Sequence, residues 1–318
     1  MAATEKYNGL ITLPDKRIIE VGKMYPDIPN HVYHGSLGLG STSLKNMHPE
    51  QMAPRLFQAY RDHEIEFEGS RGSRIGSTLH AMCFTPLTWE DEVRILPSFK
   101  RGNTAQERAE FIKAHPEYIW VNEEEKDTAS SMYPVLMAHP AVSEMFAQIN
   151  TVKNGVLAGG CEQSIWYNDV DPDTGEGTYK LCKYRPDMRY CPEWEMGYNT
   201  FIADLKVTVM GGAAADKFWR TISSLGYHIS AAHYMTGEHV AFGRRPGTWR
   251  WIVQEYEAPY LVACYECEED TLRYGMYLRR RAMNALVESK KLNDWSHYSY
   301  NKPTKIGLPK YITSRMEN

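Results

Sequence analysis

The chain has 318 residues, 42% of them hydrophobic and 24% charged, with a formal net charge of −4. This is the composition of an ordinary globular protein, long enough to bury a sizeable core in one large domain or two. The acidic total excludes polyanion binding over the whole surface but not a local basic groove, and no apolar run is long enough to span a bilayer as a helix.

In chain order, the opening Met1-Ala-Ala-Thr-Glu-Lys lacks the basic-then-apolar pattern of a secretory signal, so a cytoplasmic protein is expected. Residues 1–35 read as a β-rich N-terminal segment, with Ile11-Thr-Leu and Arg17-Ile-Ile-Glu-Val as strands around Pro14-Asp15-Lys16. A hydroxyl-capped helix begins at Ser41, and a second runs from Ala53 to His63. Gly69-Ser-Arg-Gly-Ser-Arg-Ile-Gly76 reads as a glycine-rich basic loop leading into a helix from Ser77. It lacks the Gly-Lys-Ser/Thr of a nucleoside-triphosphate loop. Lys100 and Arg101 mark another basic loop, followed by a helical insert over about 104–149, in three pieces: Thr104–His115, Glu123–Ala138 and Pro140–Gln148.

Three strands follow, Gly160–Tyr167, Thr178–Arg185 and Thr200–Val209, most simply an antiparallel meander. Turn chemistry at 169–177 joins the first two, and Pro186 puts Asp187 at a bulge or strand end. Helices over Ala213–Leu225 and His228–Phe242 break at Gly226. Strands over Trp249–Tyr256 and Tyr260–Glu268 break at Pro259. A long helix over Asp270–Glu288 carries Arg279, Arg280 and Arg281, and residues 292–318 form an irregular tail. The six cysteines are read as free thiols. Cys264 and Cys267 have metal-ligand spacing, but without a second such pair they read as part of a buried strand.

The chemistry converges on a few polar residues. Asp204 and Lys206 alternate along one strand, so they share a face. Asp187 supplies a second acid from a neighbouring strand. Two acids with a fixed amine suit a divalent metal with a built-in cation, and hence phosphodiester hydrolysis. Glu162, one strand earlier, can face the same place. His80 can add an imidazole, which binds Mn²⁺ and is tolerated by Mg²⁺. Singly, each has an ordinary alternative: a turn Asp, a surface pair, a core histidine.

Together and in this order, His80, Glu162, Asp187, Asp204 and Lys206 resemble the PD-(D/E)xK nuclease superfamily, and within it the branch of the RecB nuclease domain and the RecE (exonuclease VIII) exonucleases. The similarity rests on Gly76-Ser-Thr-Leu-His80, Cys161-Glu-Gln-Ser-Ile-Trp-Tyr, Lys183-Tyr-Arg-Pro-Asp-Met, Ala203-Asp-Leu-Lys-Val-Thr and Gly226-Tyr-His-Ile-Ser-Ala-Ala-His-Tyr234. Two positions depart from it: Ser230 stands where the family has Gln, and Val207 separates Lys206 from Thr208.

The resemblance implies an α/β restriction-endonuclease-like core over 36–291, with a central mixed sheet flanked by helices. It implies that His80, Asp187, Asp204 and the Leu205 carbonyl bind Mg²⁺ (with Mn²⁺ substituting), that Glu162 binds through water or a second ion, and that Lys206 positions the attacking water. Tyr227 and Tyr234, seven apart on one helix face, either contact the strand being cut or pack on the sheet; the Ser230 contact to DNA is weakened by the missing Gln. The implied activity is a phage or prophage exodeoxyribonuclease on double-stranded DNA ends, running 5′ to 3′ and leaving 3′ overhangs for a single-strand annealing protein. A ring-like homo-oligomer, a tetramer, is implied as well. Arg71 and Arg74, in the loop before His80, are expected to grip phosphates more than Arg280 does. An iron–sulfur RecB or CRISPR-adaptation nuclease is an alternative that needs four suitable cysteines. A non-catalytic DNA-end binding module is another, opposed by the intact Asp-x-Lys.

Overall fold

A computed structural model describes residues 9–47, 54–62, 64, 69–98, 104–170, 175–195, 197, 199–295, 303, 305, 307 and 308. The basic loop at Lys100 and Arg101, residues 171–174, the helix end at Ala53 and His63, and most of the tail beyond 295 lie outside the described residues.

The N-terminal segment is a hairpin of β1 (Leu10–Thr12) and β2 (Ile18–Glu20), then β3 (Met24–Tyr25) and the short helix α1 (Asn30–Gly35). Helices α2 (Ser41–Met47) and α3 (Pro54–Arg61) follow. Helix α4 (Arg71–Phe84) comes next, and it corrects the expected glycine-rich loop. Ser70 caps it by accepting the Ser73 N–H at 3.1 Å, the hydroxyl N-cap that starts helices. The glycines serve close packing: a Cβ on Gly72 would lie 3.0 Å from the Tyr256 ring, and one on Gly76 3.4 Å from Val207.

The insert is not wholly helical. After α5 (Trp89–Glu92), β4 (Val93–Ile95) pairs in parallel with β5 (Ile119–Val121) across α6 (Thr104–Ala114). Helix α7 (Glu123–Ala138) starts at a capping box of Asn122 and Glu125, and α8 (Pro140–Ile149) starts on its proline.

The expected three-strand meander is corrected too. A small hairpin of β6 (Val152–Lys153) and β7 (Val156–Leu157) leads to β8 (Gly159–Cys161) and β9 (Ser164–Val170), which belong to different sheets. The predicted strand over 160–167 is therefore two strands with Glu162 at the break. Strand β10 (Gly177–Tyr184) pairs with β9, and β3 closes that small antiparallel sheet. Past Pro186 the chain crosses back. Strand β11 (Met188–Tyr190) lies between β8 and β12 (Phe201–Thr208). After α9 (Ala215–Ser224) and α10 (Tyr227–Phe242), β13 (Thr248–Glu255) runs parallel to β12, and β14 (Val262–Glu266) pairs antiparallel to β13. The result is a mixed five-stranded sheet ordered β14-β13-β12-β11-β8. Helix α11 (Glu269–Leu292) packs on α10 and α2.

Helices cover both faces of the mixed sheet. Strand β12 sends Phe201, Ala203 and Leu205 into a core with Ile75 and Leu79 of α4 and Met132 and Leu136 of α7. Its alternate residue Ile202 joins Trp249, Trp251, Phe218 and Ala231 on the α9–α10 side. Asp204 and Lys206 continue that second face by strand alternation. Among the described residues no helix is long and apolar enough to cross a membrane.

Candidate active site

The site forms where the chain passes between the two sheets. One crossing is at Glu162, between β8 and β9, where this non-glycine residue holds a left-handed φ of 53°. The other is at Pro186 and Asp187, between β10 and β11. The Glu162 N–H donates to the Pro186 carbonyl at 3.1 Å, which joins the crossings. A strained backbone over-determined by its surroundings is a common property of functional positions. Helix α4 lays His80 against both acids: its Nε2 is 3.2 Å from Glu162 Oε1 and 3.0 Å from Asp187 Oδ1.

Asp187 also anchors the mixed sheet. Its Oδ2 accepts the Leu205 N–H at 2.6 Å, replacing a ladder bond just before β11 begins, since Met188 opposite Ala203 is the first pair. The N–H and C=O of one residue leave a strand on the same side. The Leu205 carbonyl therefore stands on the Asp187 side.

His80, Glu162 and Asp187 bring their ligand atoms within 4.8 Å of one another, the one such group of His, Cys, Asp or Glu among the described residues. Asp204 stands outside that group. It lies on the α10 side of β12 and pairs with the Lys206 ammonium. Lys206 Nζ in turn lies 5.0 Å from the Tyr227 ring centroid.

Electrostatics tie the two halves together. Burial opposes charge on His80, but the Asp187 and Glu162 carboxylates outweigh it and hold the imidazole pKa well above its ordinary value. Burial likewise opposes charge on Asp187, yet His80 and Lys206 keep it below the usual carboxylate range. Lys206 is desolvated, but Asp204 and Asp187 raise its pKa. Asp204 is pushed up by burial and by the Asp187 charge despite the lysine beside it.

Two cations here escaped sequence reasoning. Arg185 Nη1 is 3.6 Å from Glu162 Oε2, and its other nitrogens bind Ser164 Oγ and the Ile28 carbonyl, each at 2.8 Å. Its place two residues before Asp187 was the available signal. Lys45 of α2 sits 5.2 Å from the Tyr227 ring, its pKa pushed down to about 8 by burial and by Lys206. Nothing local in the sequence marks it.

A cavity of about 1100 Å³ opens over the site, walled by His80, Glu162, Arg185, Lys206, Tyr227 and Tyr256. Of the residues expected to grip DNA, Arg71 and Tyr227 line it. Arg71 pairs with Glu124 at 2.7 Å. Arg74 does not line the cavity. It makes a paired contact with Glu125, which is 1% exposed, because α4 packs against α7. Ser230 and Tyr234 do not line it either. Ser230 is 7% exposed, and Tyr234 packs against Trp249 and Tyr184 at 5.5 and 5.6 Å between ring centroids. Cys264 and Cys267 are free thiols, with Cys264 Sγ 3.8 Å from His139 Nδ1.

No protein-family model and no curated protein match the chain. Among solved structures, it is similar to a protein from Eubacterium rectale that carries the provisional name of exonuclease. The TM-score is 0.51 at 13% identity, over 87% of this chain and 92% of that one. The two share a fold.

Proposed function

We propose that the chain is a divalent-metal-dependent nuclease of the PD-(D/E)xK type, hydrolysing phosphodiesters at double-stranded DNA ends. The observation that carries this reading is the convergence of His80, Glu162 and Asp187 at the two sheet crossings, beside the Asp204–Lys206 pair. Glu162 Oε1 is buried, and the His80 Nε2 it faces at 3.2 Å is shared with Asp187 Oδ1 at 3.0 Å, so its acceptor capacity is not filled. A buried acceptor left open beside a second carboxylate and an imidazole is a donor set that fits Mg²⁺ or Mn²⁺. His80, Glu162 and Asp187 would hold the ion, with Asp204 and the Leu205 carbonyl adjacent. Once bound, it would polarise a phosphoryl oxygen and acidify water.

The residues supply the rest. Exchange of the His80 proton for a divalent ion would make the cluster one unit more positive than it is without the ion, which favours an incoming phosphate. Lys206 keeps an ammonium at the site and orients the attacking water. Tyr227 and Tyr256 wall the cavity where the substrate strand lies.

From the sequence resemblance we further propose 5′-to-3′ polarity, 3′ overhangs passed to an annealing protein, a ring-like tetramer and a phage or prophage role. The test is a duplex labelled separately at its 5′ and 3′ ends. Early loss of the 5′ label with Mg²⁺, and none with EDTA, is expected; an intact duplex with Mg²⁺ or Mn²⁺ overturns the reading.

The raised His80 pKa predicts a pH dependence. A raised folded-state value stabilises the metal-free fold below the ordinary pKa of 6.5, and that contribution is lost as pH rises through the raised value. The ion competes with the same proton, so Mn²⁺ affinity is expected to climb with pH until the raised value is passed, with proton release on binding. Calorimetry in two buffers of different ionisation enthalpy measures both; a flat affinity between pH 6 and 8 removes His80 from the donor set.

A further inference from the structure

Helix α11 carries an exposed ladder of rings and guanidiniums that begins one residue from the cavity wall. Tyr274 and Tyr277 are 48% and 53% exposed. Their rings stack with centroids 6.1 Å apart at 22°. Against Tyr274 lies the His228 imidazole, 5.6 Å away and nearly parallel at 2°. His228 directly follows Tyr227, which lines the cavity. Here α10 meets α11 so closely that a Cβ on Gly275 would fall 2.1 Å from the His228 carbonyl oxygen.

Cations interleave the rings. The Arg281 guanidinium sits 5.6 Å from the Tyr277 ring centroid. Arg273 is 68% exposed and pairs with Asp270 on its own helix. Arg279 points inward, taking Asp169 Oδ1 at 2.7 Å, while Arg280 reaches Oδ2 of the same residue at 3.3 Å. One carboxylate against two guanidiniums leaves a positive charge, and Arg280, 35% exposed, presents it. Positions 273, 274, 277, 280 and 281 follow helical spacing and share a face.

Rings in a parallel, half-exposed row leave part of their π-surface open, on which unpaired bases stack whatever their sequence, and neighbouring guanidiniums follow the phosphates. Bases inside a duplex have no free face to offer. We infer that this face of α11 holds single-stranded DNA leading from the cavity. Which strand this is rests on the nuclease reading; the binding itself does not.

The test is fluorescence anisotropy with a labelled twenty-residue oligo-dT in EDTA, where no metal-dependent cleavage occurs. Y274A/Y277A is expected to weaken binding about tenfold or more, and Y274F/Y277F to restore it, because stacking needs the ring and not the hydroxyl. R280A/R281A is expected to flatten the slope of log affinity against log salt by about 0.7 per arginine. If circular dichroism shows Y274A/Y277A to be misfolded, Y277A alone and R280A/R281A decide. Unchanged oligo-dT affinity in the folded variants overturns the inference. So does an unchanged affinity accompanied by loss of an oligomer in light scattering, which would make this face a contact between copies of the chain. A protein that binds oligo-dT through these rings yet never cleaves DNA would sink the nuclease proposal and leave this one standing.

Discussion

Asp187→Asn and Lys206→Met are each expected to slow Mg²⁺-dependent cleavage of duplex DNA by about a hundredfold or more, the usual effect of losing one preorganised charge at such a site. The two should differ in metal binding. Asp187 is one of three side chains whose ligand atoms converge, so its amide variant should also lose Mn²⁺ affinity by calorimetry. Lys206 pairs with Asp204 outside that group, so its variant should keep the ion and lose the rate. Near-normal cleavage in either folded variant would remove that residue from the mechanism. Loss of Mn²⁺ binding in Lys206→Met would instead place Asp204 among the ligands, freed or misplaced by the substitution.

The largest stability effect is expected at Glu238, outside the His80 group. This fully buried residue of α10 accepts from Arg189 Nε of β11 at 2.9 Å and from the Tyr184 hydroxyl of β10 at 2.7 Å. It thereby ties one helix to both sheets. Glu238→Ala leaves the Arg189 guanidinium buried without its counter-charge, and removing one partner of a buried pair costs about 3–5 kcal/mol. Urea denaturation should show a lower midpoint, with the slope kept if unfolding stays two-state. The paired change Glu238→Leu with Arg189→Met removes both charges and should recover much of the loss. A single variant within 1 kcal/mol of the parent, roughly the level of an exposed pair, would mean that water reaches this contact.

Elements with local signals were readable from the chain. Helix α7 spans the expected Glu123–Ala138, and Gly226 separates α9 from α10. Asp187 stands at a strand end, as Pro186 requires. What failed depends on partners distant in sequence. Glycines at 69–76 suggested a loop, but Ser70 caps a helix there, and Gly72 and Gly76 exist for the approach of Tyr256 and Val207. The apolar run through Glu162 gave no sign that the strand divides between two sheets, because that break depends on pairing to β11 and β3. Arg74 looked free because Glu125, its partner, lies fifty-one residues away. Among the candidate site residues, the convergence of His80, Glu162 and Asp187 was legible because residue type and motif order carry it. The separation of Asp204 from the His80 group was not, because it is set by which face of β12 meets which helix.

The two crossings give the site a mechanical meaning. Glu162 and Asp187 stand at the joints between a three-stranded and a five-stranded sheet. A cation gripped by both would act as a rivet through the seam, and the spacing of its ligands would be a gauge of how the sheets sit. Occupancy and fold stability are then one equilibrium, worth about 2.7 kcal/mol at a hundredfold excess over the dissociation constant. The dependence runs both ways. A repacking around Trp166, buried in the small sheet, would then retune metal affinity by shifting one side of the seam against the other.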